Sequence, residues 1–192
     1  MTITEIPKNE VEFKEFVIDV VKTLIALVEE KDPFLRKHCQ RVADNCANFC
    51  EEFKIVDDED AETIYFAGLL HDIGIVAIPI NLLQRTEPLS GEEMILIKKH
   101  PVSGEKVLDH LTILRQVLPM VRHHHEAFDG SGYPDGLKAE NIPLGARVIG
   151  LFNYLDNLVF TRSPEEALSI EDALVEINAK AGQLFDQDLL PN

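Results

Sequence analysis

Apolar side chains recur every three or four residues along most of this chain, the spacing of one face of an α-helix. The first such stretch predicts a helix over residues 10–31, with apolar positions Val11, Phe13, Phe16, Val17, Val20, Val21, Leu24, Ile25 and Val28. Asp32-Pro33 ends this helix, because a residue that precedes proline avoids the helical region. A second helix is predicted over residues 34–53 and a third over about 60–71.

Glycine and proline residues interrupt the helical pattern in the middle of the chain. Residues 74–79, bounded by Gly74 and Pro79, open a loop. Ser90-x-x-Glu93 is a capping box and predicts a helix that runs through His100. Pro101 is then either a break or the first residue of the next helix.

The last third of the chain continues the helical pattern. We predict helices over residues 112–125 and 144–159, with further helix starts at Ser163 and Ser169. No segment of four to eight residues alternates cleanly between apolar and polar positions, so no strand is predicted. The fold class is therefore predicted to be all-α, in a single domain.

The composition of the chain argues against a membrane-spanning protein and against a secreted protein with disulfide bonds. The chain has no uncharged apolar run of about 18 residues, so no membrane-spanning segment is expected. The N-terminus lacks the basic start and apolar core of a signal peptide. Cys39, Cys46 and Cys50 are odd in number and have no C-x-x-C spacing, so we expect reduced thiols in a cytoplasmic protein.

The formal net charge of −16 restricts the partners that the chain can bind. It argues against a nucleic acid polymer, because such binding depends on Lys and Arg that neutralise phosphates. An anionic substrate would need a local positive centre inside this negative field. Bound metal cations would supply that centre.

Histidine and aspartate supply candidate metal ligands. His71-Asp72 closes an apolar stretch, where a carboxylate is costly to bury unless it is paired or coordinated. His38, His100 and the pair His124-His125 also lie near helix ends or on helix faces. Imidazole and carboxylate together suit Fe, Mn or Zn. The alternative is that these are ordinary surface or core histidines, the role we assign to His110 and His123.

Four segments in a fixed order resemble the HD-GYP subgroup of HD-domain phosphohydrolases. They are HDIG followed by IP (71–79), KKHPVSGEKVL (98–108), HHEAFDGSGYPDGL (124–137) and IPLGARVIG (142–150). Two flanking segments are similar to the opening and closing segments of the family, namely KDPFLRKHCQRVA (31–43) and AGQLFDQDLL (181–190). We accordingly assign residues 20–192 to an HD-GYP-like domain and residues 1–19 to an N-terminal extension that includes the start of the first helix.

The resemblance implies an all-α helical bundle that hydrolyses cyclic di-GMP with the help of divalent metals, usually iron or manganese. It implies that His38, His71 and Asp72 hold one metal, with Asn153 at the position of the family's last ligand. Asp72 would bridge to a second metal, held by His100, His124 and His125. A hydroxide between the metals would attack phosphorus, which makes His71 and Asp72 the expected catalytic residues.

The resemblance also assigns a substrate side. Arg162 matches an arginine that contacts the dinucleotide phosphate, and its alternative role is a surface arginine that precedes Ser163. Gly132, Tyr133 and Pro134 belong to the loop that shapes the substrate side and touches signalling partners in the family. Two nearby arginines and two nearby acids are expected to have supporting roles, namely Arg41, Arg147, Glu126 and Asp129.

Three positions depart from the family pattern. Ile75 stands where the family has a lysine, Asn153 where it has a metal-binding aspartate, and Glu165 where it has a basic residue. Phe34 stands where members with three metals have a glutamate, so at most two metals are expected. Two hypotheses follow: a cyclic di-GMP phosphodiesterase, with reduced activity, or a degenerate module that binds metal, dinucleotide or protein partners without turnover.

Overall fold

The computed structural model of the protein describes residues 9–85 and 88–190, without the side chain of Glu10. Within these residues the chain forms α-helices and short 3-10 turns and no strand, so the predicted all-α class is confirmed. The α-helices are α1 (Glu10–Lys31), α2 (Pro33–Phe53), α3 (Asp58–Leu70), α4 (Ile80–Leu83), α5 (Gly91–Ile97), α6 (His100–Leu108), α7 (Leu118–His123), α8 (Leu144–Val159) and α9 (Ile170–Ala179).

Helix α2 lies at the centre of the fold and packs against α1, α3 and α8. Its apolar face is fully buried and carries the three cysteines, which are unpaired thiols. Burial raises the pKa of Cys46 well above its ordinary value, which keeps that thiol protonated. The cysteines therefore act as small core side chains.

Side-chain caps define several helix boundaries at the predicted places. Asp32 caps α2 by accepting a hydrogen bond from the backbone N–H of Phe34, and Pro33 occupies the first turn. Ser90 and Glu93 form the predicted capping box of α5. The predicted start at Ser169 is also confirmed, because its side chain caps α9.

The predicted continuous helix over residues 112–125 is wrong. Residues Thr112–Leu114 form a 3-10 turn, and α7 begins only at Leu118. The reason is Pro119, which has no N–H to donate and can stand only in the first turn of a helix. The start predicted at Ser163 is likewise not an α-helix, since Pro164–Glu166 form a single 3-10 turn.

The segment around Gly74 is more ordered than the predicted loop. Residues Ile73–Ala77 form a 3-10 helix, against which α6 packs closely. A Cβ atom on Gly74 would lie 2.0 Å from the carbonyl oxygen of His100 and 2.5 Å from the backbone nitrogen of Gly104, so only glycine fits. His100 begins α6 instead of ending α5, and this packing brings it beside the segment that follows α3.

In the part of the chain that the structure describes, no helix has both the length and the apolar character needed to cross a bilayer. The predicted N-terminal extension is only partly covered, since residues 1–8 lie outside the described residues. Helix α1 runs without a break through the predicted boundary at residue 20.

Candidate metal centre

The carboxylate of Asp72 lies at the centre of four imidazoles. Its Oδ1 is 3.1 Å from Nε2 of His100 and 3.9 Å from Nε2 of His124. Its Oδ2 is 3.4 Å from Nε2 of His71 and 3.8 Å from Nε2 of His38. Asp72 and these four histidines are all buried. Residues from positions 38 to 124 thus converge on one acidic side chain.

The ligand atoms separate into two groups that share Asp72. The two-histidine group consists of His38, His71 and Asp72, and the three-histidine group consists of Asp72, His100, His124 and His125. Within each group, one candidate ligand atom of every residue lies within 4.8 Å of the others. This is the division that the resemblance implies for a pair of metals bridged by Asp72.

Local helix geometry aims three of the rings at Asp72. In His71, His100 and His124, Nδ1 donates a hydrogen bond of 2.7 to 2.8 Å to the carbonyl oxygen three residues earlier. A neutral imidazole that donates from Nδ1 has a lone pair on Nε2, so these three rings present unprotonated nitrogen toward the carboxylate. The helix ends near each histidine supply these carbonyls, because terminal carbonyls have no partner within the helix.

Two observations test whether divalent cations fit this donor set. Nε2 of His71 is buried and has no hydrogen-bond partner. Nε2 of His100 lies 3.2 Å from Nε2 of His124, although both rings already donate from Nδ1. Two lone pairs at this distance repel one another unless a proton or a cation lies between them. The donors therefore fit metal ions of the class that imidazole and carboxylate prefer.

His38 is held differently, by a charged side chain. Its Nδ1 donates to Oδ2 of Asp156 at 2.6 Å. The same carboxylate accepts two hydrogen bonds from Arg41, at 2.6 and 2.8 Å. Burial alone would raise the pKa of Asp156, but Arg41 and His38 hold it below its ordinary value. Asp156 thus orients His38 through its outer nitrogen, a role that sequence reasoning did not assign to it.

The electrostatics keep Asp72 ionised. Burial alone would raise its pKa, but attraction to His71 and His100, in the form in which these rings carry a proton on Nε2, outweighs burial and holds the pKa well below its ordinary value. In turn, burial lowers the pKa of His71, but Asp72, the carbonyl of Gly68 and Asp156 together outweigh burial, so that the pKa lies above its ordinary value. The centre therefore contains one firmly ionised carboxylate.

The remaining imidazoles are kept neutral. Burial, followed by the neighbouring histidines, lowers the pKa of His124 well below its ordinary value. Burial and the charge of His100 lower the pKa of His125 to about 3. A neutral imidazole is the form that binds a metal, so both residues are available as ligands at neutral pH.

Asn153 is buried in α8 and lines the same pocket as His38 and Asp72. Its carboxamide oxygen accepts a hydrogen bond of 2.9 Å from Nδ2 of Asn157. The oxygen is neutral and already has a partner, so it is a weaker ligand than a carboxylate would be. Ile75, the other inward departure from the family, is a buried apolar wall of this pocket.

The glycine-rich loop closes one side of the centre. The ring of Tyr133 stacks on the ring of His125, with centroids 4.8 Å apart and planes inclined by 20°. A Cβ atom on Gly132 would lie 2.2 Å from the backbone nitrogen of Ala127, so only glycine allows the loop to fold back. The carboxylate of Glu126 accepts backbone N–H groups from within the loop. The Tyr133–Pro134 peptide bond is cis.

Arg162 lines the pocket at its mouth, but it is not unpaired. Its guanidinium forms an ion pair with the buried carboxylate of Asp32 and stacks over the ring of Phe34, 4.5 Å from the centroid. The pocket has a volume of about 260 Å³ and extends from this pair to Asp72 and Tyr133. Asp32 therefore sets the position of the arginine and neutralises part of its charge.

The other singled-out residues lie outside the centre. Gly132 and Pro134 flank Tyr133 in the loop and do not line the pocket. Glu165 is exposed on the 3-10 turn that follows Arg162.

His110 is exposed, and His123 faces the carboxylates of Glu126 and Asp135 at 3.6 Å. Arg147 pairs with Asp186 and, like Arg41, braces helices.

The chain is similar to several phosphodiesterases. It is 33% identical over 180 residues to the cyclic di-GMP phosphodiesterase response regulator RpfG of Xanthomonas campestris, and 31% identical over 181 residues to a cyclic di-GMP phosphodiesterase of Thermotoga maritima. It is 30% identical over 182 residues to the 3′3′-cGAMP-specific phosphodiesterase 2 of Vibrio cholerae. These matches cover 93, 93 and 94% of this chain but 47, 49 and 35% of the relatives, so the chain spans half of their length or less.

Solved structures share the fold at lower sequence identity. A cyclic GMP-AMP-specific phosphodiesterase of V. cholerae superposes with a TM-score of 0.66 at 21% identity, over 89% of this chain and 46% of that one. An HDG“Y”P protein of Bdellovibrio bacteriovorus superposes with a TM-score of 0.68 at 22% identity, over 93% and 58% of the two chains. The family described as HD domain matches residues 22–189. The chain therefore belongs to the HD domain family, as a domain of the HD-GYP type.

Proposed function

We propose that this chain is a metal-dependent phosphodiesterase domain that hydrolyses a cyclic dinucleotide, with cyclic di-GMP as the first candidate substrate. The observation that carries the proposal is that the buried carboxylate of Asp72 is shared by two groups of imidazoles. Two relatives over the same segment are named cyclic di-GMP phosphodiesterases, and a third is named for 3′3′-cGAMP.

Two divalent cations, iron or manganese, are the proposed cofactors. The two-histidine group would hold one and the three-histidine group the other. Bound there, they would supply positive charge for the phosphate oxygens and lower the pKa of a water molecule that serves as nucleophile. A third metal is not proposed, because the resemblance places a glutamate of three-metal members at position 34, where this chain has Phe34, a residue with no ligand atom.

The chain's own residues bind, orient and enclose the substrate. Asp72 stays ionised and holds the two ligand groups together, while His71 presents a bare nitrogen beside it. Arg162 offers a planar, forked donor to a phosphate at the pocket mouth, where Asp32 and Phe34 orient it. Tyr133, positioned by its neighbours Gly132 and Pro134, forms the wall nearest to His125.

The exposed tip of the glycine-rich loop is a proposed contact for a signalling protein. Several residues of this loop are exposed although the loop is tightly braced by Glu126 and Asp129, which accept backbone N–H groups. The alternative function, a module that binds ligands without turnover, is not favoured, because relatives matched over the same segment are named as phosphodiesterases.

Metal content and product analysis test the proposal together. We expect the chain, purified without chelators, to contain about two iron or manganese ions and to convert cyclic di-GMP to a linear product. Chelation should abolish turnover, and added Mn²⁺ should restore it. Cyclic di-GMP, 3′3′-cGAMP and cyclic di-AMP should be compared at equal concentration by chromatography. A fully metal-loaded chain that cleaves none of the three would overturn the proposal.

A further inference from the structure

The pocket has little positive charge of its own to offer a phosphodiester. The chain has a net charge of −16, and the pocket contains the ionised Asp72. Ile75 is an apolar wall at the place where the resemblance leads one to expect a lysine. Arg162 shares its charge with Asp32 in an ion pair. A phosphate that faces this apolar wall, away from the proposed metal ions, would therefore be stabilised by a further cation from the chain.

Lys98 contacts Tyr133, one of the residues that line this pocket. Its ammonium nitrogen is 5.0 Å from the centroid of the Tyr133 ring, within the range of a cation–π contact. Tyr133 lines the pocket and stacks on the candidate ligand His125. The chain of contacts from Lys98 through Tyr133 to His125 thus leads directly to the three-histidine group.

The backbone fixes where Lys98 emerges. Its N–H donates to the carbonyls at the end of α5, and the preceding residue, Ile97, accepts the hydrogen bond from Nδ1 of His100. The base of the side chain is therefore tied to the same turn that orients a metal ligand. Lys98 is exposed and forms no ion pair with any residue in 9–85 or 88–190, so its charge remains available.

We propose that Lys98 binds a phosphate of the cyclic dinucleotide and takes the place of the cation that Ile75 does not provide. This assignment rests on the proposed function and adds a substrate-binding residue to it. The four-carbon stem of a lysine reaches across a pocket edge, and its ammonium group can turn from the tyrosine ring toward a phosphate oxygen. The adjacent Lys99 is also exposed but, within the described residues, makes no cation–π contact with Tyr133, which makes it a matched control.

The test compares wild type with Lys98→Gln, Lys98→Arg and Lys99→Gln, each loaded with Mn²⁺. We expect Lys98→Gln to raise the KM for cyclic di-GMP about fivefold to tenfold, since it removes one charge-assisted hydrogen bond. Its Kd for cyclic di-GMP from calorimetry should rise in parallel, and inhibition by inorganic phosphate should weaken. Lys98→Arg should stay near wild type, and the defect of Lys98→Gln should shrink at high salt.

The readouts separate the possible failures. Metal content should be the same in all four proteins, and a loss of metal in Lys98→Gln would mean that Lys98 acts on the metal centre and not on substrate. Equal KM and Kd values for Lys98→Gln and Lys99→Gln would overturn the assignment while leaving the proposed function intact. If wild type binds cyclic di-GMP without cleaving it, the Kd values still decide the role of Lys98. If wild type neither binds nor cleaves it, both proposals fail.

Discussion

The two halves of the candidate metal centre share Asp72 but are built with different means. The three-histidine group offers three imidazoles, and two of these are anchored to backbone carbonyls close to them in the chain. The two-histidine group offers two imidazoles, and one of them, His38, is anchored by the side chain of Asp156. A backbone carbonyl is present whatever the side chains are, whereas the anchor of His38 depends on one residue more than a hundred positions away.

This difference indicates which half is the more vulnerable. The two-histidine group has fewer donors, and the nearby pocket wall contributes the neutral Asn153 in place of a carboxylate. Its orientation also relies on the ion pair between Asp156 and Arg41, an arginine that is partly exposed to solvent. We therefore expect the two-histidine group to bind its metal more weakly and to respond more strongly to changes around it.

The largest effect is expected from Asp72→Asn, because this substitution should impair metal binding in both the two-histidine group and the three-histidine group. The substitution keeps the shape of the side chain and removes the only carboxylate that both groups share. We expect loss of both metals and a decrease in phosphodiesterase activity of more than about 100-fold. Metal analysis and turnover assays measure this, with the exposed Asp109→Asn as the control. Retention of two metals per chain would show that Asp72 is not a shared ligand.

A smaller and one-sided effect is expected from Asp156→Asn. The amide would lose the charge that holds Nδ1 of His38 and pairs with Arg41. We expect metal affinity to fall about 10-fold to 100-fold in the two-histidine group and to stay unchanged in the other. Stepwise chelation followed by elemental analysis separates the two sites. Asp44→Asn, on the exposed side of α2, serves as the control, and equal weakening of both sites would contradict the proposed asymmetry.

The smallest effect is a gain, expected from Asn153→Asp. It would add a carboxylate to the pocket wall beside the two-histidine group and so strengthen the weaker half of the centre. We expect the metal affinity of the two-histidine group to rise by about tenfold in Asn153→Asp. When Asn153→Asp is combined with Ile75→Lys, we expect phosphodiesterase activity to rise by more than about tenfold. Asn48→Asp adds the same charge at an exposed position of α2 that does not line the pocket, and it is the matched control. If both variants raise metal affinity equally, position 153 has no special role as a ligand.

Most helix boundaries could be predicted from the sequence, because capping residues and proline affect only the backbone within a few residues of them. Asp32, Ser90 and Ser169 mark helix starts through hydrogen bonds to residues two or three positions away. The error at residues 112–125 arose where an apolar pattern continued through Pro119. There the covalent restriction of proline outweighed the periodicity, and the rule that would have located the break was available from the residue itself.

The site was harder to predict than the helices. Six candidate metal ligands were predicted from sequence motifs and from their positions near helix ends. The structure places all six together, namely His38, His71, Asp72, His100, His124 and His125. The partner of His38 was missed, because Asp156 lies one turn beyond the position where a ligand was sought. Arg162 was expected to face substrate, and its ion pair with Asp32 could not be read from two segments separated by about 130 positions.

The helical class, most helix boundaries and the kinds of donor atom that the chain can offer could all be predicted from the order of its residues. These follow from forces that act within a few residues: backbone sterics, capping hydrogen bonds and the repeat of the helix. How those donors are shared could not be predicted in this way, because it depends on contacts between distant segments. That the two oxygens of Asp72 face different histidines, and that Asp156 holds His38, depends on how α2, α6 and α8 pack around the residues after α3. Such contacts join distant segments, so their geometry is set by packing of the whole core and not by any local pattern.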